Sequence, residues 1–215
     1  MTSARDGVAA FVGNFGVELS LELSNSWFEI ERSSFDRFLS GELNFQEQRR
    51  ERLRQFLPLI GQQDFVGAAE LDEMFAVYLR SYEKDWTAFP DAVPTLKALR
   101  ACGMTVGVVT NGNHVQQAMK IRRIGLESLL DLFFSSEQMG HAKPERPAFT
   151  LPCESLQLPP SQVLYVGDNY RVDIEGARAA GLQAIHLNRG AADQPQTLRL
   201  LTDLAPVLNL KTTAP

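Results

Sequence analysis

Val163-Leu164-Tyr165-Val166-Gly167-Asp168-Asn169-Tyr170-Arg171-Val172-Asp173-Ile174-Glu175-Gly176-Ala177-Arg178-Ala179-Ala180-Gly181 is an apolar run that ends in a turn with two carboxylates and then opens into a small-residue helix. Residues 163–166 are branched or aromatic without interruption, the composition of a strand buried on both faces in a parallel sheet covered by helices. Gly167 ends that strand. Ligands of open α/β sheets sit beyond the carboxyl ends of the strands, which is where Asp168 and Asp173 fall. Two neighbouring carboxylates repel unless one is protonated or a cation lies between them. A hard divalent ion such as Mg2+ suits such oxygens and is commonly held by one or two carboxylates and water. The other reading of the pair makes Asp168 a helix cap and Asp173 a solvated acid of the first turn.

Working outward, 215 residues can bury a substantial core, as one domain with an insertion or as two small domains. A net charge of -5 argues against a nucleic-acid or anionic-membrane binder, which would carry a basic stripe. The most basic stretch, residues 48–54, is interrupted by Glu51 and reads as a solvated helix face. Cys102 and Cys153 form no CxxC pair, so neither a zinc site nor a disulfide framework is indicated. No run is long and apolar enough to span a bilayer, and residues 1–7 lack a signal-peptide pattern; a soluble, cytoplasmic protein is expected.

From Val8 to about Tyr82 the apolar residues recur at helical spacing: Val8, Phe11, Val12 and Phe15; Trp27, Ile30 and Phe35; Leu53, Phe56, Leu57 and Ile60; Leu71, Phe75, Tyr78 and Leu79. Asn44 is placed to cap a helix that Pro58 to Gly61 closes. This predicts a small helical bundle with its aromatics in the core. Its boundary with the remainder of the chain lies at residues 82–90, giving a helical domain over 8–85 and an α/β domain over 86–215. Beyond Pro90 a helix ends at Gly103, and Thr105–Thr110 reads as a buried strand. A helix then follows the Thr110-Asn111-Gly112-Asn113 turn. A short strand over Leu132–Phe134, a helix over 146–156, the strand 163–166, a helix over Ile174–Ala180, a strand over Gln183–Leu187 and a closing helix over Thr197–Leu208 complete the pattern. Alternation of this kind means a parallel sheet with right-handed crossovers. No G-x-G-x-x-G follows any strand, which speaks against dinucleotide binding.

Three strand ends therefore carry polar groups: Thr110 with Asn111 and Gly112, then Lys143, then Asp168 with Asp173. A hydroxyl and backbone N–H groups can hold anionic oxygens, a lysine can neutralise them, and a carboxylate-held metal can bridge phosphate oxygens. Singly each is a weak signal, since Thr110 could be a cap and Lys143 a surface cation. Their placement after successive strands points to phosphoryl chemistry.

With Thr110-Asn111-Gly112, Lys143-Pro144-Glu145-Arg146-Pro147-Ala148-Phe149, and Gly167-Asp168 through Asp173-Ile174-Glu175-Gly176-Ala177 in view, the chain resembles the haloacid dehalogenase-like superfamily of hydrolases. The similarity is to the branch with a helical cap inserted after the first strand. It implies a Rossmann-like, three-layer α/β/α core and a cap over residues 8–85. By the same resemblance Thr110, Lys143, Asp168 and Asp173 form the catalytic set, Asn111 and Gly112 bind substrate, and Asp168 and Asp173 ligate Mg2+. The implied activity is hydrolysis of a small phosphorylated metabolite through an aspartyl-phosphate.

One motif is missing from the pattern. The family places its nucleophile in an Asp-x-Asp-x-Thr motif on a first strand; this chain contains no Asp-x-Asp, and Asp6 follows no apolar run. That strand would lie centrally, between the strands ending at Thr110 and Val166, so two inner edges are expected to lose their pairing. An N-terminally shortened phosphatase is one reading, and a non-catalytic relative that binds or scaffolds is a second. A metal-independent haloacid dehalogenase is a third. His114 is expected to face solvent.

Overall fold

The computed structural model describes residues 2–62, 67–84, 86–190 and 197–208. They divide into two compact units, Met1–Trp86 and Thr87–Pro215.

The first unit consists of helices α1 (Thr2–Gly13), α2 (Leu21–Leu39), α3 (Phe45–Phe56) and α4 (Ala68–Lys84). Their ends follow from side chains that satisfy orphaned backbone N–H groups. Ser20 Oγ accepts from Leu23 N–H, and Asn44 and Glu47 form a reciprocal capping box at α3. After α3 the chain tightens through Leu57–Ile60 and stops at Gly61, whose φ of 79° a side chain would resist. The apolar faces meet in one core that includes Val8, Phe11, Trp27, Leu53, Phe56 and Tyr78. The Trp27 ring sits 4.9 Å from that of Phe56 and 4.8 Å from that of Tyr78, so these aromatics are packed core, as their spacing implied. α1 approaches α4 so closely that a Cβ on Gly7 would lie 3.0 Å from Tyr82.

The second unit alternates helix and strand: α5 (Ala92–Ala101), β1 (Gly107–Thr110), α6 (His114–Arg123), β2 (Leu132–Ser135), α7 (Ser136–Met139), α8 (Pro147–Ser155) and β3 (Leu164–Gly167). A π-helical segment, Tyr170–Glu175, leads into α9 (Gly176–Ala179). β4 (Gln183–Leu187), β5 (Thr197–Leu198) and α10 (Leu204–Val207) complete the unit. All strand pairs are parallel, as predicted, but they form two sheets. One pairs β1 with β2, Thr110 opposite Ser135; the other has the order β3-β4-β5, Gly167 opposite His186.

β1 and β3 are each paired on one side, and among the described residues no strand lies between them. A groove of about 570 Å3 runs there, lined by Val106, Val108, Leu164 and Val166 and floored by Phe149 and Leu204. This opening corrects two expectations, that 163–166 is buried on both faces and that 105–110 is a buried strand: residues 164–167 are only half-buried, and Thr105 and Gly107 are exposed. β1 is correspondingly shorter than Thr105–Thr110. Two further expectations change. The helix over Ile174–Ala180 begins instead as the π segment at Tyr170. The closing helix over Thr197–Leu208 is split, because Thr197 and Leu198 pair with β4 and Leu201 N–H is drawn to the Asp91 carboxylate at 2.7 Å. Asp91 also receives both Nη atoms of Arg189, at 2.8 and 3.0 Å, and the guanidinium covers the Phe89 ring at 4.0 Å.

Candidate active site

Lys143 lies at the centre of the polar rim. Its Nζ donates to Asp173 Oδ1 at 2.7 Å and to the Tyr165 hydroxyl at 2.9 Å. The lysine side chain is 11% and the aspartate 6% exposed, so each charge depends on the other for compensation. Burial pulls the Lys143 pKa down, but Tyr165 and the Asp173 carboxylate outweigh it and hold the ammonium above the ordinary lysine value. Burial also raises the Tyr165 pKa, keeping a neutral hydroxyl beside the ammonium.

The turn after β3 is built to present Asp173 to that lysine. Asn169 Oδ1 accepts from Val172 N–H at 3.0 Å and is the cap of the following segment; Asp168 is not. Asp173 Oδ2 accepts from Asn169 N–H at 3.0 Å, and the side chain is buried against Gly167, where any added Cβ would collide with it. Asp173 is therefore not a solvated first-turn acid. Gly176 meets a second close approach, since a Cβ there would lie 2.9 Å from the Phe149 ring.

The loop after β1 is tied to the lysine from the other side. Asn111 clasps the Lys143 backbone in both directions, its Nδ2 donating to Lys143 O and its Oδ1 accepting from Lys143 N–H, each at 2.8 Å. Gly112 N–H donates to Ser136 Oγ at 2.9 Å, and Glu137 receives both Asn113 Nδ2 and His114 N–H. The Asn111 amide and the Gly112 N–H, expected to meet substrate, are thus committed within the fold. Thr110 ends β1 beside this clasp, half-buried. His114 does not simply face solvent: its Nδ1 lies 3.1 Å from Ser135 Oγ and its ring 5.0 Å from that of Phe133.

Asp168 is exposed at the end of β3, and its carboxylate has no hydrogen-bond partner among the described residues. Its carbonyl accepts from His186 Nε2 at 3.1 Å, which fixes that nitrogen as the protonated one. A hard ion fits Asp168 as a single-carboxylate donor completed by water and substrate oxygens. Both oxygens of Asp173 are already engaged, and among the described residues no group of three His, Cys, Asp or Glu side chains is arranged to hold a metal. Tyr165 and Ser136 escaped the sequence reading, because a strand tyrosine reads as core and a lone serine carries no pattern.

Residues 7–181 match the family model described as haloacid dehalogenase-like hydrolase. Ribulose-1,5-bisphosphate 5-phosphatase from Halopiger xanaduensis is 36% identical over 108 residues, 50% of this chain and 45% of that protein. Pyrimidine 5'-nucleotidase YjjG from Escherichia coli is 38% identical over 132 residues, 61% of this chain and 57% of that protein. The chain spans about half the length of the curated relatives it matches. The HAD-hydrolase YfnB from Bacillus subtilis, solved with magnesium bound, superposes with a TM-score of 0.87 at 21% identity, covering 97% of this chain and 92% of that one. At that identity the likeness speaks for the fold.

Proposed function

The chain belongs to the haloacid dehalogenase-like hydrolase family, and from that membership we propose that its second unit is the core of a magnesium-dependent phosphohydrolase acting on a small phosphate monoester. The observation that carries this reading is the buried Lys143 ammonium, bound by Asp173 and clasped through Asn111 to the loop that holds Thr110. Lys143 neutralises phosphoryl oxygens, the Thr110 hydroxyl donates to one of them, and Asp173 keeps the lysine charged and in place. Asp168 is the carboxylate that would hold Mg2+, which when bound offsets phosphate charge.

The nucleophile of this reading is an aspartate on a strand that seats between β1 and β3. Two inner strand edges and an apolar groove support a strand there, since open edges and half-buried apolar side chains are stabilised by pairing and cover. Attack by that carboxylate and hydrolysis of the aspartyl-phosphate divide one difficult displacement into two. In this reading the helical domain over 8–85 is a cap that selects substrate and excludes water, and residues 86–215 with the added strand form the core. A cytoplasmic location is in keeping with the free thiols of Cys102 and Cys153.

Titration of inorganic phosphate by calorimetry tests the grip itself. Binding should require Mg2+ and vanish in Asp168→Ala. Binding indifferent to metal and to Asp168 would refute the metal assignment and leave the dehalogenase-like reading in its place.

A further inference from the structure

We infer that Tyr165 is a positioning residue that aims the remaining N–H of Lys143 at the anion gripped by the strand ends. The inference rests on the proposed phosphoryl site and adds a residue to it. An ammonium has three N–H donors in tetrahedral array. One goes to Asp173 Oδ1 and one to Tyr165 Oη, and no acceptor among the described residues takes the third. The bond to Asp173 sets the torsion about Cε–Nζ and the second bond to Tyr165 stiffens it, so the third N–H keeps one direction.

Tyr165 is itself held from several sides. Its ring meets Phe149 edge-on at 5.2 Å, its hydroxyl reaches across the groove to Val109 O at 3.4 Å, and the lysine nitrogen lies 5.6 Å from the ring centre. The Val109 contact is long, so ring packing sets the hydroxyl's place and the lysine makes the short bond. Phenylalanine could fill the same space. A buried hydroxyl costs free energy unless it is bonded, and here its shortest bond is to the group that meets substrate.

The experiment is a double-mutant cycle of Tyr165→Phe with Lys143→Gln, a change that keeps an N–H donor for Asp173 but not the positive charge, so the thermal midpoint of each variant is read beside its affinity. Inorganic phosphate affinity is read by calorimetry with Mg2+, thermal midpoint by calorimetric scan, and the Lys143 ammonium by 15N-lysine NMR. Tyr165→Phe should weaken phosphate roughly 3- to 10-fold, the equivalent of one hydrogen bond, with the thermal midpoint unchanged. It should have no further effect in the Lys143→Gln background, and the Lys143 ammonium protons should exchange faster. Equal losses in both backgrounds would show a merely structural tyrosine and overturn the inference, as would unchanged affinity with an unchanged lysine signal. If the unaltered chain binds no phosphate, the phosphoryl-site reading fails, and the ammonium signal alone still decides whether Tyr165 orients Lys143.

Discussion

Lys143 and Asp173 form a pair in which neither charge has another full counterpart among the described residues, so removing one leaves the other buried. Asp173→Asn should cost about 3 kcal/mol or more of unfolding free energy in urea denaturation. The pH dependence has a definite sign. Because folding raises the Lys143 pKa, its contribution to stability is complete below the ordinary lysine value of about 10.4 and is lost as pH climbs through the higher folded value. Urea midpoints measured between neutral and strongly alkaline pH should fall less in Lys143→Gln than in the unaltered chain. The types and order of Thr110, Lys143, Asp168 and Asp173 were legible because each follows a strand. That Asn111 serves Lys143, 32 residues away, was not, since a two-way clasp between an amide and a backbone leaves no periodic trace. The division of labour between the two aspartates was also hidden: Asn169 takes the capping role, which leaves Asp168 free and turns Asp173 inward.

At the level of elements, the helical unit was the most readable part, because its burial follows a single period and the ends of α3 and the turn after it carry Asn44 and Gly61; the Ser20 cap of α2 emerged only in the structure. The strand-to-π turn was less so. Gly167 is needed there for space, since its φ is not in the left-handed region. Gly167→Ala must push Asp173 away; it should destabilise the unit and reduce phosphate affinity together, measurable by calorimetry of both unfolding and binding. The segment 197–208 misled by its leucines at 198, 201, 204 and 208, which mimic an amphipathic helix. Pairing with β4 and the hydrogen bond from Leu201 to Asp91, 110 residues away, override that pattern. Asp91 thereby joins residues 189 and 201. Arg189 holds its carboxyl below the usual range against the opposing effect of burial, so this stability is present above a pH of about 3.9 and is lost as pH falls further. Asp91→Asn should cost about 1.5 to 3 kcal/mol at neutral pH and flatten the acid limb of the unfolding curve.

For the molecule as a whole, the parallel α/β architecture was legible from the alternation of strands and helices after residue 90. The division of its sheet was expected only through the family resemblance, which places a strand between those that became β1 and β3. What periodicity could not supply was the consequence for packing: strands that read as fully buried are half open, because burial depends on the neighbour as much as on the residue. In the proposed reading the rim of Thr110, Lys143 and Asp168 becomes a phosphatase centre when a strand bearing a carboxylate occupies the groove. The most direct measurement is turnover of p-nitrophenyl phosphate by the chain fused to an apolar strand that ends in Asp-x-Asp. Hydrolysis that requires Mg2+ and is abolished by Lys143→Ala is the predicted result; a fused protein whose added strand is protected from hydrogen exchange, yet which hydrolyses nothing, would contradict it.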